Sequence, residues 1–251
     1  MDVQQQILEQ APRLTRQDAF EFGCHAKLSC FNACCADLTV ELSPHDAASL
    51  RRALGLTAEE FLKRHTRTRF DPGRGLPVVF LEMRDDPAST CPFVGEAGCT
   101  VYQDRPAACR LYPVGRALLA PDEGGGRQEF FFLLEEDPCV GYAQPRPWTI
   151  QAWLDDQGIS QCDQVDDPWR AFCQHPALRS RLAEGRRPAP SLLNDYFRAF
   201  YSPDRFRDYL EATGEFARLG PADRAALLNG DAALLKFAAT WMTGRLSNEG
   251  T

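Results

Sequence analysis

An apolar run long enough to cross a membrane, a leader for export and a surplus of basic charge are all missing from this chain of 251 residues. No stretch of about 18 apolar residues occurs, so no membrane span is expected. The opening MDVQQQILEQAPRL lacks a basic segment followed by an apolar one and does not read as a secretory signal. A net charge of -7 leaves no basic excess to neutralise phosphates, which argues against nucleic-acid binding. Only three of the 28 basic side chains are lysines (Lys27, Lys63 and Lys236), a coding bias without functional weight. No GxGxxG fingerprint, P-loop or GxSxG elbow occurs, and Gly124-Gly125-Gly126 reads as a turn. A cytoplasmic location is expected, and with it reduced thiols.

Cysteine is what the chain has in excess. Eight of ten fall in the first 139 residues, as Cys24/Cys30/Cys34/Cys35, Cys91/Cys99, Cys109 and Cys139. In a reducing compartment such groups are metal ligands more often than disulfide partners. Closed zinc and iron–sulfur sites use four ligands, so eight thiols suffice for two tetrathiolate sites, or for one cluster beside reactive thiols. Cys34 and Cys35 are adjacent, and the backbone directs neighbouring side chains apart. That pair favours two metals, a polynuclear cluster, or a ligand beside a catalytic thiol; a single zinc ribbon fits poorly. Cys30-x3-Cys34 begins a radical S-adenosylmethionine signature, but Asp37 stands where its third cysteine belongs. Ferredoxin spacing is missing too.

Four thiolates around Zn²⁺, or around a cubane cluster, leave a formal charge of about -2, which calls for N–H donors and cations nearby. Arg105 and Arg110 bracket Cys109 and are expected to supply them, while Arg116 reads as a surface residue. His25, beside Cys24, is a candidate substitute ligand. His45 and His65 read as surface residues near helix ends. Cys162, Cys173 and His175 do not complete a site and read as buried or incidental.

The scaffold follows from periodicity and caps. Residues 2–22 form a polar lead-in, and the alternation over 38–42 predicts a strand. Ser43 followed by Pro44 predicts a helix to about Leu54, and Thr57 with Glu60 a second one from Glu59 to about Thr66. A strand is expected over 77–83. A hairpin is expected from 114–120 and 127–135 around 121–126, with Phe130–Leu134 buried. Thr149 caps a helix to about Gln157, stopped by Gly158. Beyond 160, helices are expected over 194–200, 203–213, 221–228 and 231–246, with 186–190 as a linker. The expected fold is α+β: a small irregular cysteine-rich metal-binding domain over 1–160 with short strands and helices, followed by a helical C-terminal region over 161–251.

Several blocks together carry a family resemblance. They are Cys34-Cys35, Cys91-Pro92-Phe93, Gly98-Cys99-Thr100-Val101-Tyr102, Arg105-Pro106, Cys109-Arg110-Leu111-Tyr112-Pro113 and Cys139-Val140-Gly141. Through them, and through the segment 149–158, residues 20–160 resemble the YkgJ-type cysteine-cluster family, a zinc- or iron-chelating group that includes flagellin lysine N-methylase. The first group departs from the family's usual Cys-x2-Cys-x2-Cys-Cys, since here the gaps are Cys24-x5-Cys30-x3-Cys34-Cys35. Cys24 is therefore the least secured ligand. The region after 160 is similar to that of the longer bacterial members. The resemblance implies metal binding strongly and methyl transfer weakly, and no S-adenosylmethionine motif accompanies it.

The expected ligands are Cys24, Cys30, Cys34, Cys35, Cys91, Cys99, Cys109 and Cys139. Adjacent cysteines and a surplus of ligands rank an iron–sulfur cluster, [4Fe-4S] for preference, ahead of Zn²⁺. The first expectation for function is an iron–sulfur protein that modifies protein side chains as flagellin lysine N-methylase does, with a protein as substrate. The alternatives are a non-catalytic zinc-binding interaction protein and a metal-delivery protein.

Overall fold

The computed structural model describes residues 11–118, 129–134 and 139–248. They form two compact units, one drawn from 11–38, 84–102 and 107–160, the other from 39–83, 103–106 and 161–248. The fold is α+β with a helical C-terminal region. The division expected from sequence was linear, at residue 160, whereas these units interleave. Residues 2–10 of the expected lead-in, the hairpin tip at 121–126 with Gly124–Gly126, and Glu135 lie outside the described residues. Among the described residues no helix is long and apolar enough to cross a membrane.

The first unit is built on short antiparallel pairs. Ala19–Glu21 pairs with Pro147–Thr149, and Val114–Leu118 pairs with Glu129–Leu133. Leu14 joins the second pair, its N–H donating to Phe131 O at 2.7 Å, so the lead-in is structured there. The Thr149 side chain accepts from the Ala152 N–H at 3.1 Å and caps the helix Ile150–Asp156, as expected. Gly158, at φ +68°, ends that segment. Phe20, Phe22, Val114, Phe131, Ile150, Trp153, Leu154 and Ile159 pack into one buried cluster. Trp153 anchors it to the cysteine region, donating from Nε1 to Leu111 O at 2.8 Å.

Arg116 corrects its surface reading. Its side chain is only 7% exposed and bonds Glu129 at 2.8 Å, diagonally across the strand pair, where Arg116 stands opposite Phe131 and Glu129 opposite Leu118. Burial opposes the charge on Glu129, but Arg16 and Arg116 more than offset it and hold the carboxyl below the usual range. Gly115 faces Phe132 across the same hairpin, and a Cβ at Gly115 would overlap the Phe132 ring. Gly115→Ala should therefore cost about 1–3 kcal/mol, as overpacking does, read as a lower denaturant midpoint.

In the second unit the two expected capping boxes are present. Ser43 and Asp46 cap Pro44–Ala53, and Thr57 and Glu60 cap Ala58–His65. The strand expected over 38–42 is reduced to a bridge between Glu41 and Phe80, although Leu42 N still donates to Val79 O at 2.8 Å. The strand expected over 77–83 is Leu76–Leu81, and it pairs with Thr66–Asp71, a strand the periodicity did not predict. The expected C-terminal helices are Pro190–Tyr201, Pro203–Ala212, Pro221–Asn229 and Asp231–Asn248. Residues 39–83 pack with these helices because their apolar residues are covered there: Leu42, Leu50, Phe61, Phe200 and Phe206 are all buried. Tyr201 donates its hydroxyl to Leu42 O at 3.0 Å. The expected linker over 186–190 is a connection inside this unit, between Pro176–Ala183 and Pro190–Tyr201.

Candidate metal centre

From Cys24 to Thr39 no residue is buried, although the stretch holds four cysteines. Its backbone is shaped by tight turns. Leu28, Phe31, Ala33 and Cys35 each donate an N–H to the carbonyl three residues back, at 2.9–3.1 Å. The last of these closes a 3₁₀ turn over Ala33–Cys35. Asn32 (φ 70°), Asp37 (φ 51°) and Ser89 (φ 47°) are left-handed without being glycine. Such residues carry strain of about 1 kcal/mol or more each, which Asn and Asp tolerate best. The irregular backbone expected around the cysteines is thus found.

Long-range backbone bonds bring the cysteine segments together. Gly23 N donates to Gly141 O at 3.0 Å, and the Val140 N–H points at Cys30 Sγ at 3.4 Å. Gly141 is needed there, because a Cβ would lie 2.5 Å from the Phe22 ring. On the other side, Cys91 N donates to Cys35 O at 2.8 Å and Asp37 N to Ser89 O at 3.1 Å. Cys99 sits in a tiny hairpin opposite Val94, whose tip is held by Asn32 Nδ2 donating to Gly95 O at 3.0 Å. Cys109 lies in the short helix Ala107–Leu111.

None of the ten cysteines is in a disulfide. Burial raises the Cys24 thiol above its ordinary value, and the charges of Cys34, Cys30 and Cys139 raise it further. Cys35 is raised far more, first by its contact with the Cys34 thiol, then by burial and by the charges of Cys34, Cys91 and Cys109. Burial raises Cys91; the Phe93 amide opposes that, and Cys99 adds to it. These influences link all eight candidate thiols of the first unit into one network. Cys162 and Cys173 belong to the second unit. Cys162 is buried, and burial pushes Cys173 up to about 12, with the Tyr196 hydroxyl 3.9 Å from its sulfur.

The other candidates separate. Arg110 donates to Gln157 O at 3.3 Å. Arg105 falls in the short stretch 103–106 that groups with the second unit. His25 is exposed, and its Nδ1 accepts from Lys27 N at 3.3 Å. His45 and His65 are half-buried rather than on the surface, and burial lowers the His65 imidazole against the Phe61 ring. His175 caps the helix Pro176–Ala183, its Nδ1 accepting from Ala177 N at 3.2 Å.

Sequence reasoning missed Arg84 and Asn32. Arg84 donates to Pro92 O at 3.0 Å and Val94 O at 3.2 Å, bracing the loop after Cys91, and its charge favours the Cys91 thiolate. Nothing in the spacing flags it, since it acts on main-chain carbonyls, which any residue type supplies.

The donor set suits a thiophilic ion or cluster: thiols outside any disulfide and within electrostatic reach of one another, with an amide aimed at one sulfur. Among the described residues no three or more Cys, His, Asp or Glu side chains are grouped so as to hold a metal ion. Residues 23–140 match the model of the CxxCxxCC family, described as "Putative zinc- or iron-chelating domain". The match spans just under half of the chain, and the resemblance read from the sequence is found over those residues. No curated protein and no solved structure matches the chain.

Proposed function

We propose that the first unit binds metal through the thiolates of Cys24, Cys30, Cys34, Cys35, Cys91, Cys99, Cys109 and Cys139, and that the metal is iron in an iron–sulfur centre, with [4Fe-4S] the favoured form. The observation that carries this reading is the stretch 24–39. It is ordered into tight turns around four thiols, yet it contributes no buried side chain to any core. Metal ligation supplies the cross-links that burial does not. Electrostatics point the same way. Eight neighbouring thiols cannot all ionise against one another, whereas a bound cation makes ionisation favourable. The family description supports zinc or iron. Adjacent cysteines and the surplus of ligands favour the polynuclear form. Bound there, an iron–sulfur centre would supply electron transfer or polarisation of a substrate group. A role in modifying protein side chains, with S-adenosylmethionine as co-substrate, is supported by the resemblance alone.

Isolation of the full chain without air should give a brown protein containing iron and acid-labile sulfide. Colourless protein with stoichiometric zinc would replace iron by zinc in this proposal, and protein without any bound metal would refute it. Cys162→Ser and Cys173→Ser should keep the wild-type metal content, while Cys35→Ser should lower it.

A further inference from the structure

We propose that the hairpin strand Thr66–Asp71 of the second unit is a docking edge for an extended polypeptide segment in which acidic residues alternate with apolar ones. Local charge is the first observation. Between Lys63 and Arg74 stand five basic side chains and one acidic, Asp71, in a chain whose 28 basic residues are outnumbered by 35 acidic ones. Arg74 is held by Glu41 and Asp71, and Arg64 lies 3.8 Å from Glu60. Arg67 reaches Glu82 only at 3.7 Å, with both side chains partly exposed, and such pairs hold little energy. Arg69 is exposed and has no ion-pair partner among the described residues.

The second observation is the backbone. Among the described residues Thr66–Asp71 pairs with Leu76–Leu81 alone. Glu82 N donates to His65 O at 2.8 Å, and antiparallel bonds fall on every second pair, so Arg67 and Arg69 make the bonds to Phe80 and Val78. Pro77, opposite Phe70, has no N–H to give and fits this alternation. The N–H and C=O of Thr68 and Phe70 therefore point away from the hairpin, and residues 68–70 are exposed. A strand added at this edge would take its main-chain bonds from Thr68 and Phe70. Side chains alternate across a strand, so Arg67 and Arg69 lie on one face of the edge and Thr68 and Phe70 on the other. The arginine face selects acidic residues at every second position of the added strand. The other face offers an apolar contact, because Phe70 is 39% exposed and backed by the Arg187 guanidinium, 5.7 Å from its ring centre. The same charge excludes a second copy of this chain as the occupant: paired antiparallel about Thr68, two copies would set Arg67 against Arg69.

The test titrates the full chain into a short fluorescein-labelled peptide that alternates glutamate with valine, read by fluorescence anisotropy. Binding should saturate. A peptide of the same composition with its glutamates and valines in separate blocks, and one alternating lysine with valine, should each bind about tenfold more weakly or not at all. Arg69→Glu, at an exposed position, should weaken the glutamate–valine peptide by about tenfold and strengthen the lysine–valine peptide, a reversal that a merely structural arginine would not produce. Thr68→Pro removes an outward N–H that takes no part in the hairpin ladder and should weaken binding at least as much. Circular dichroism shows whether each variant keeps its fold, and Arg69→Glu decides the matter alone where the proline disturbs the hairpin. No binding of the glutamate–valine peptide, equal binding of the block peptide, or indifference to Arg69→Glu would overturn the proposal. So would tighter binding of a short oligonucleotide at the same arginines, or self-association of the wild-type chain that Thr68→Pro abolishes.

Discussion

Stripping the metal from the loaded protein should open residues 24–39 and 84–100, while the helices of the second unit keep their protection from hydrogen exchange. Ordering a residue costs about 1–2 kcal/mol of backbone entropy, which a fold normally offsets by burying side chains. In 24–39 there is nothing buried to do so, and between 84 and 100 the buried side chain is that of Phe93. Three left-handed non-glycine residues in these loops add strain. A tightly held structural ion contributes on the order of 10 kcal/mol in small zinc-dependent folds, enough to decide the balance. The cluster of Phe20, Phe22, Phe131, Ile150, Trp153 and Leu154 has its own apolar packing and should stay protected. Exchange measured by mass spectrometry on loaded and chelator-treated full chain should rise at least tenfold in the cysteine loops. Identical exchange in the two forms would mean that the loops are held by something other than metal.

How far the sequence could be read depended on whether the deciding interaction is local. Ser43 with Asp46 and Thr57 with Glu60 satisfy backbone groups three residues away, and both helices begin where their side chains predict. Thr149 and Gly158 bracket their helix for the same reason. Thr66–Asp71 escaped because its Thr-Arg-Thr-Arg-Phe sequence has no buried face; its pairing with Leu76–Leu81 is what makes it a strand. The segment at 38–42 shows the reverse error. Its alternation is real, yet only Glu41 makes a bridge. Arg116 looked like a surface residue because its partner Glu129 is remote in sequence and becomes adjacent only when the hairpin forms. At the site, thiol chemistry marked the candidate ligands, but their grouping depends on contacts such as Cys91 N to Cys35 O, which no spacing rule contains.

Asp166→Asn should stabilise the second unit at pH 8 and leave it nearly unchanged at pH 4. Asp166 lies in the helix Ile159–Cys173 and is fully buried. The His45 N–H donates to its Oδ1 at 3.3 Å, and Oδ2 has no hydrogen-bond partner among the described residues. Its nearest cation, Arg170, stands 3.9 Å away and is shared with Asp163 at 3.0 Å and Asp167 at 2.7 Å. Burial, and then the negative charge of Asp46 on the facing helix, push the Asp166 carboxyl up to about 7 against the opposing pull of Ser43, Arg170 and the His45 amide. An unfolded chain releases the same proton near pH 4. Below that pH both states hold the proton and the group is neutral in its effect. Between about 4 and 7 the folded state keeps a proton that the unfolded state has lost, so stability falls as pH rises, by up to about 1.4 kcal/mol per unit. Above 7 the full penalty is present, on the order of 3–4 kcal/mol. Asparagine cannot ionise, and its amide oxygen can still accept from His45, so the variant should gain a few kcal/mol at pH 8, less the lost attraction of Arg170. Denaturant midpoints for the two proteins at pH 4, 6 and 8 would diverge with rising pH. Parallel profiles would show that the buried carboxyl ionises without penalty, through a partner that Arg170 and Ser43 do not represent.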